Sequence, residues 1–430
     1  MDYKQAIDYL YALRRTGVKL RLSHIEHLLN LLGNPQEKFD SILVAGTNGK
    51  GSVCAMIQSV LSEVGYSTGL YTSPHLTEFT ERIKVGTDEI SQDDIVRHLI
   101  EIMPYIDSMR SDSQLGEPSF FEVVTAMAFT YFAEEKVDYA VVEVGLGGRL
   151  DATNTLKPKV SVITNAQMDH AEILGDSIKK IAQEKAGIIK KNTPLVTAET
   201  NPKALKVIKA ACSKTSSPLY VIGKDVTFKK TGTTNQGQLF DLNGLRKYKD
   251  LINPFLGRHQ LTNAATAVTA LDILQTFGVS IPQEKVRSGI EKTVWPGRFE
   301  KIGGKPTIIL DCAHNPKGAE TLAETLTELY GRKKGVFALG ISKYKDLDGI
   351  IEKIAPKMKA CVTARSTHPQ AADPEKLCEI ISKHNITCTQ AESVQDAIEK
   401  SRKLAGKDDY IVFSGSIFFI GDVKKKLGNG

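Results

Sequence analysis

The sequence holds 430 residues, 41% of them hydrophobic and 25% charged, with a formal net charge of +6. That length exceeds one ordinary hydrophobic core and suits two or three domains of a soluble globular protein. The small positive excess suits anionic small substrates. With 7% aromatic residues and no block of five like charges, it argues against nucleic acid as a partner.

Met1-Asp2-Tyr3-Lys4-Gln5 leads into a mixed polar helix over residues 3–15, which is not the pattern of a secretory signal. A second helix is predicted from Ser23 to Leu32, stopping at Gly33, with Ser23 and Glu26 as a capping box. Ile42-Leu43-Val44-Ala45 then reads as a buried strand. It runs into Gly46-Thr47-Asn48-Gly49-Lys50-Gly51-Ser52, and a helix follows over Val53–Leu61. Strand, glycine turn and helix N-terminus together make a phosphate cradle. Backbone amides converge on the anion, the helix dipole favours it, and glycines let the backbone come close. Lys50 would reach the outer phosphates and the Ser52 hydroxyl would ligate Mg²⁺. Gly51 stands between Lys50 and Ser52, so the usual Gly-Lys-Ser/Thr ending is lengthened by one residue. The form G-T-N-G-K-G-S resembles the nucleotide loop of the Mur ligase superfamily.

A short strand, Thr68–Tyr71, precedes Thr72-Ser73-Pro74-His75-Leu76 and a polar stretch through Glu81-Arg82-Ile83. Ser119–Phe132 is apolar at helical spacing. Asp138–Val144 is a buried strand carrying Glu143 at its end, and Gly145-Leu146-Gly147-Gly148-Arg149-Leu150-Asp151-Ala152-Thr153-Asn154 follows. This run lacks the third glycine of a dinucleotide fingerprint, because Leu150 takes its place. Strand Val160–Thr164 leads to Asn165 and to Asp169-His170. Strands alternating with helices predict a parallel α/β sheet, whose ligands gather at the carboxyl ends of the strands. The phosphate loop, Glu143 and His170 all fall at such ends. Residues 217–252 read as a small antiparallel insertion, and His259-Gln260-Leu261-Thr262-Asn263 opens an alanine-rich helix.

The Pro and Gly of Trp295-Pro296-Gly297-Arg298 set the predicted boundary, giving domains 1–296 and 297–430. The second domain repeats the alternation: strand Thr307–Asp311, loop Cys312–Pro316, helix 317–330, and strands 335–339, 360–363 and 410–413, the last ending at Ser414-Gly415-Ser416. The Lys424-Lys425-Lys426 run reads as a solvated helix terminus. No apolar run approaches membrane-span length. Cys54, Cys212, Cys312, Cys361, Cys378 and Cys388 are scattered without a CxxC pair. That pattern predicts neither a zinc site nor a disulfide framework, and a reducing cytoplasm as the compartment.

Several side chains leave alternatives open. Glu143 faces a salt-bridge partner or a metal, and the neighbouring phosphate loop favours Mg²⁺. His170 is ambiguous, since imidazole is an unusual Mg²⁺ ligand. Lys185, in the last turn of a helix predicted from near Asp176, has a sufficient bland account as a complement to the helix dipole. Asp311 and His314 either bind a ribose or phosphate, or cap a loop.

These motifs, taken in order, resemble the folylpolyglutamate synthase family, in particular its bifunctional dihydrofolate synthase/folylpolyglutamate synthase members. The resemblance runs from Lys19-Leu20-Arg21-Leu22 to Ser414-Gly415-Ser416. It implies a Mur-ligase-like α/β fold: an N-terminal P-loop ATP-binding domain with a parallel sheet, and a smaller, Rossmann-like C-terminal domain. By position it implies nucleotide contacts from Gly46, Thr47, Asn48, Gly49, Lys50, Gly51 and Ser52, and from Asn263, Arg298 and Asp311. A first Mg²⁺ would be held by Ser52 and Glu143, and a second with help from His170. Lys50, His170, Lys185, Asp311 and His314 would be catalytic, with Lys185 carbamylated. Ser73, Pro74, Arg82, Asp151, Ala152, Asn154, Lys345 and Ser416 would line substrate sites, the segment Arg149–Asn154 resembling members that accept dihydropteroate. The family often has Asp at Tyr344 and Arg at Gln370, so the glutamate subsite departs from its pattern.

The implied reaction is ATP-dependent addition of L-glutamate to dihydropteroate and to reduced folates through an acyl phosphate. The expected partners are these small molecules, with no nucleic acid or membrane, and a monomer is expected. The rival readings are a monofunctional folylpolyglutamate synthase and a phosphate-loop ATPase or small-molecule kinase.

Overall fold

The computed structural model describes residues 1–13, 21–112 and 115–428. The predicted Lys19-Leu20 part of the family motif, and the end of the first helix, lie outside the described residues. The chain forms two units. One comprises Met1–Pro74, Phe79–Pro254 and Leu261–Thr293; the other comprises His75–Glu78, Phe255–Gln260 and Val294–Gly430.

The first unit is built on eight strands: β1 (Asp40–Ala45), β2 (Thr68–Tyr71), β3 (Ile83–Val85), β4 (Asp88–Glu89), β5 (Tyr139–Glu143), β6 (Val160–Ile163), β7 (Leu195–Thr197) and β8 (Leu219–Val221). Their order is β4-β3-β2-β5-β1-β6-β7-β8. All neighbours from β2 to β8 run parallel, and only the β3 and β4 hairpin turns back. Ile42, Leu43, Val44 and Ala45 of β1 are fully buried. A continuous apolar run of this kind belongs to a strand covered by helices on both faces.

The predicted antiparallel insertion is present as β9 (Thr227–Thr233), β10 (Gln238–Asn243) and β11 (Lys247–Asn253), in the order β11-β10-β9. Its first expected strand, β8, pairs instead in parallel with β7 at the edge of the large sheet. Arg246 anchors the insertion, donating to Asp272 at 2.8 Å, to Gln275 at 3.0 Å and to the Ile281 carbonyl at 2.9 Å.

The second unit carries β12 (Glu300–Ile302), β13 (Thr307–Leu310), β14 (Gly335–Leu339), β15 (Met358–Thr363), β16 (Thr387–Gln390) and β17 (Tyr410–Ser414). Their order is β12-β13-β17-β14-β15-β16, antiparallel only between β12 and β13. Two apolar layers, one on each face, include Phe337, Leu339 and Val412 in one and Val336, Ala338 and Phe413 in the other.

Two sequence expectations are corrected. The second helix spans Leu22–Leu31 with Arg21 as its N-cap and no side-chain capping bond, so Ser23 lies inside it and forms no capping box with Glu26. Capping boxes occur instead at Asp2 with Gln5 and at Ser119 with Glu122. The cysteines are not all free, because Cys378 and Cys388 form a disulfide. The helix Pro374–Ser382 and the returning strand β16 bring them together, which a search for CxxC spacing does not detect. No helix among the described residues is long and apolar enough to cross a membrane.

Candidate active site

The register of the large sheet assembles the first unit's site. Val44 of β1 sits beside Glu143, the last residue of β5, and Ala45 sits beside Ile163, the last of β6. Three strand ends therefore meet where the glycine loop begins. Gly46 and Gly49 are obligatory there. A Cβ on Gly46 would lie 1.8 Å from Thr164 Oγ1, and one on Gly49 would lie 2.5 Å from Asn263 Oδ1. Gly49, at φ +85°, is also the N-cap of the helix Lys50–Val64, and no side chain caps that helix. Its first-turn amides are thus left for an anion. Ser52 is buried in the first turn.

The loop is strapped from the β6 side. The Thr47 amide donates to the Asn165 carbonyl at 3.0 Å, and the Asn48 amide to Asn165 Oδ1 at 3.0 Å. Asn165 Nδ2 and Thr164 Oγ1 both donate to the Asn48 carbonyl, at 3.0 and 2.6 Å. Asn48 Nδ2 donates to Gln167 Oε1 at 2.6 Å. Thr47 Oγ1 accepts from the Gln167 amide at 3.0 Å.

Glu143 lies 3.7 Å from Lys50 Nζ through Oε1, and its Oε2 accepts the Ser73 amide at 3.2 Å. Ser73, expected on the acceptor side, is thus also tied to this carboxylate. Lys185 closes the helix Ile178–Ala186 and is only 3% exposed. Burial lowers its amine from the ordinary 10.5 to about 7, helped by the charge of Lys50 and opposed by Asp169, Asp151 and Glu199. It is therefore not a solvated last-turn cation. His170 adopts a left-handed backbone (φ +51°) and is 43% exposed, with Nε2 3.9 Å from Asp169 and Nδ1 3.7 Å from Glu172.

The Gly147-Gly148-Arg149 run serves packing. A Cβ on Gly148 would meet the Glu184 carbonyl at 2.8 Å, and one on Gly187 would meet Arg149 Cβ at 2.3 Å. Arg149 also pairs with Glu184 at 3.0 Å. Asp151 is buried, accepting the amides of Leu146 at 2.8 Å and Thr153 at 3.0 Å, and burial raises its carboxyl pKa. Ala152 is buried beside it. Asn154 Nδ2 donates to the Arg149 and Gly187 carbonyls at 3.0 and 3.1 Å, tying this turn to the end of the Lys185 helix. Arg82 is buried, 5.5 Å from both the Phe79 and Phe120 ring centres.

In the second unit, Asp311 accepts the Phe299 amide at 3.0 Å and the Ala313 amide at 2.9 Å. Phe299 has φ +48°, so this carboxylate holds a strained turn next to Arg298. Burial raises the Asp311 pKa and the Arg298 charge opposes it. His314 Nδ1 lies 2.9 Å from the Cys312 carbonyl. Lys345, beyond β14, donates its amide to the Ser342 carbonyl at 3.1 Å. Ser416, beyond β17, accepts the Phe419 amide at 3.1 Å. Tyr344, at the departure from the family pattern, is 67% exposed. Gln370 donates its amide to His368 Nδ1 at 3.2 Å.

Residues 44–271 match the Mur ligase middle domain, and residues 297–417 match the Mur ligase glutamate ligase domain. The chain is 35% identical to the dihydrofolate synthase/folylpolyglutamate synthase of Bacillus subtilis, over 99% of each chain. The chain belongs to the folylpolyglutamate synthase family of Mur ligases. Among solved structures it resembles Mycobacterium tuberculosis folylpolyglutamate synthase complexed with ADP, at TM-score 0.93 and 34% identity over 99% of each chain. It also resembles E. coli FolC in complex with DHPP and ADP, at TM-score 0.89 and 28% identity, covering 100% of this chain and 98% of that one.

As a folylpolyglutamate synthase family member the chain is an ATP-dependent ligase. The structure brings Gly46–Ser52, Glu143, Ser73 and Asn263 together in the first unit, and Arg298 and Asp311 together in the second. Sequence reasoning missed the strap of Thr164, Asn165 and Gln167, and it missed Glu199 behind them. The available signal was a polar run placed directly after a buried strand.

Proposed function

We propose that this family member adds L-glutamate both to dihydropteroate and to reduced folates, using ATP. The observation that carries this reading is the pairing of Lys50, the first residue of a helix whose N-terminus no side chain caps, with Glu143 at the end of β5. The turn Arg149–Asn154, tied through Asn154 to the Lys185 helix, supports an acceptor pocket next to that loop.

The loop amides and Lys50 hold the phosphates of ATP and offset the charge that spreads over the transferring group. A substrate carboxylate attacks the γ-phosphorus, and ADP leaves from the acyl phosphate so formed. The glutamate amine then attacks the acyl carbon, forming the amide and releasing phosphate. Asn263, Arg298, Asp311 and His314 are assigned to the nucleotide, and Asp151, Ala152, Asn154, Ser73, Pro74 and Arg82 to the acceptor. Lys345 and Ser416 are assigned to the glutamate.

Ser52 and Glu143 offer hard oxygen donors that fit Mg²⁺, an ion that completes its shell with phosphate and water. They would hold one ion, and His170 would help hold a second. Mg²⁺ supplies charge neutralisation at the phosphates. Lys185 carries an amine near pKa 7, so a large neutral fraction is present at neutral pH. That amine adds CO2, loses a proton and becomes a carbamate anion.

The test is ADP release with Mg²⁺, with and without glutamate, comparing dihydropteroate and tetrahydrofolate. Glutamate-dependent release with both is expected. Release with tetrahydrofolate alone leaves a monofunctional folylpolyglutamate synthase. Release that needs neither acceptor nor glutamate overturns the ligase assignment.

A further inference from the structure

The strap over the glycine loop has its own anchor. Glu199 follows β7, the next strand beyond β6, and is 4% exposed. Its two carboxylate oxygens face different ways. Oε1 accepts the amides of Thr200 at 2.8 Å and Asn201 at 2.6 Å, both in its own turn. Oε2 reaches across to accept the amide of Ala166, 33 positions earlier. Ala166 lies between Asn165 and Gln167, the two residues that grip Thr47 and Asn48.

We propose that Glu199 is a positioning residue for nucleotide binding, acting through Ala166 to hold the Thr164–Gln167 strap against the glycine loop. The proposal rests on the reading that Gly46–Ser52 binds the phosphates of ATP. A buried carboxylate is costly unless its oxygens are satisfied, and here they are satisfied by amides from two separate segments. An amide carbonyl offers one acceptor oxygen and would turn an N–H donor toward another. Only a carboxylate of this length serves both segments. The same segment goes on to Asp169 and His170, so its position also sets theirs. The Glu199 charge further acts on Lys185, opposing the effect of burial on that amine.

Glu199→Asp isolates the long bond. The shorter carboxylate still accepts from the amide two residues ahead, as Asp does in Asx turns. It cannot span to Ala166. Asn201→Ala is the control. It removes the N-cap of the helix Pro202–Thr215, which accepts the Lys203 amide at 2.9 Å, and leaves the Ala166 bond in place. ADP affinity by calorimetry, KM for ATP and for glutamate, and thermal melting are measured on the full chain. Glu199→Asp is expected to raise the ADP Kd and the KM for ATP by about ten-fold, with KM for glutamate within about two-fold of wild type. Asn201→Ala is expected to lower the melting temperature and leave both nucleotide constants within about two-fold. An ADP Kd unchanged in Glu199→Asp overturns the proposal, as does an equal nucleotide defect in Asn201→Ala. Failure of the wild-type chain to bind ADP would instead overturn the nucleotide reading of the glycine loop.

Discussion

The ammonium of Lys50 stands 3.7 Å from the carboxylate of Glu143, with both side chains largely shielded from water. Breaking such a pair strands a charge in a poorly solvated place. Glu143→Ala is expected to destabilise the chain by about 3 kcal/mol. It should also lower ADP release by about a hundred-fold. Urea unfolding and steady-state turnover read the two effects separately. Turnover within a few-fold of wild type would remove Glu143 from the catalytic machinery.

Gly49→Ala tests the close approach between the loop and Asn263. The new methyl meets Asn263 Oδ1, and the backbone at φ +85° disfavours any side chain. A loss of about 1–3 kcal/mol in stability is expected from the strain. ADP binding should weaken in the same variant, because Asn263 is displaced. Asn263→Ala combined with Gly49→Ala should relieve the clash, so the stability costs of the two changes would not add.

The Lys185 amine has a definite pH signature. Its folded pKa of about 7 lies below the ordinary 10.5. The unfolded chain therefore binds the extra proton between those values, and stability rises with pH across that window. Below pH 7 the full penalty is felt. Lys185→Met should flatten this dependence, read as melting temperature from pH 6 to 10. Bicarbonate should raise the melting temperature of the wild-type chain near pH 8 and leave that of Lys185→Met unchanged. A bicarbonate response equal in both would count against a carbamate at this position.

His259 makes the opposite end of the pH range informative. Burial, aided by Arg298, lowers its imidazole from 6.5 to about 4. Nδ1 has no hydrogen-bond partner among the described residues. The unfolded chain takes up a proton first as pH falls, so stability is lost from pH 6.5 down to 4. In His259→Asn this acid sensitivity should shrink, as measured by denaturant midpoints at pH 7 and pH 5.

The parts of the candidate site that sequence reading pointed to from the residues alone are those with local signatures. The strand, the glycine turn and the helix behind it form one continuous stretch that hydrophobic period plus glycine content locate, although the strand begins at Asp40 and the helix spans Lys50–Val64, beyond the expected Ile42–Ala45 and Val53–Leu61. Glu143 announced itself as a carboxylate ending a valine-rich strand. Lys185 did not, because its helix register shows a last-turn lysine and not the burial that lowers its pKa. Glu199 and the strap were hidden for the same reason, since their roles exist only in the folded sheet. Short strands such as β3, β4 and β16 carry too few residues for a period. The Cys378–Cys388 bond depends on a chain reversal that spacing alone does not reveal.

The strap also has a consequence for synthesis. Asn48 is bonded to Asn165, 117 positions further along, and Ala166 waits in turn for Glu199. A nascent chain ending before β6 would contain the whole glycine motif and Glu143, but none of the strap residues Thr164–Gln167. The ability to hold the phosphates that we assign to this loop thus arrives late on the ribosome, after β7 has joined the sheet, although Gly46–Ser52 are among the first residues to emerge.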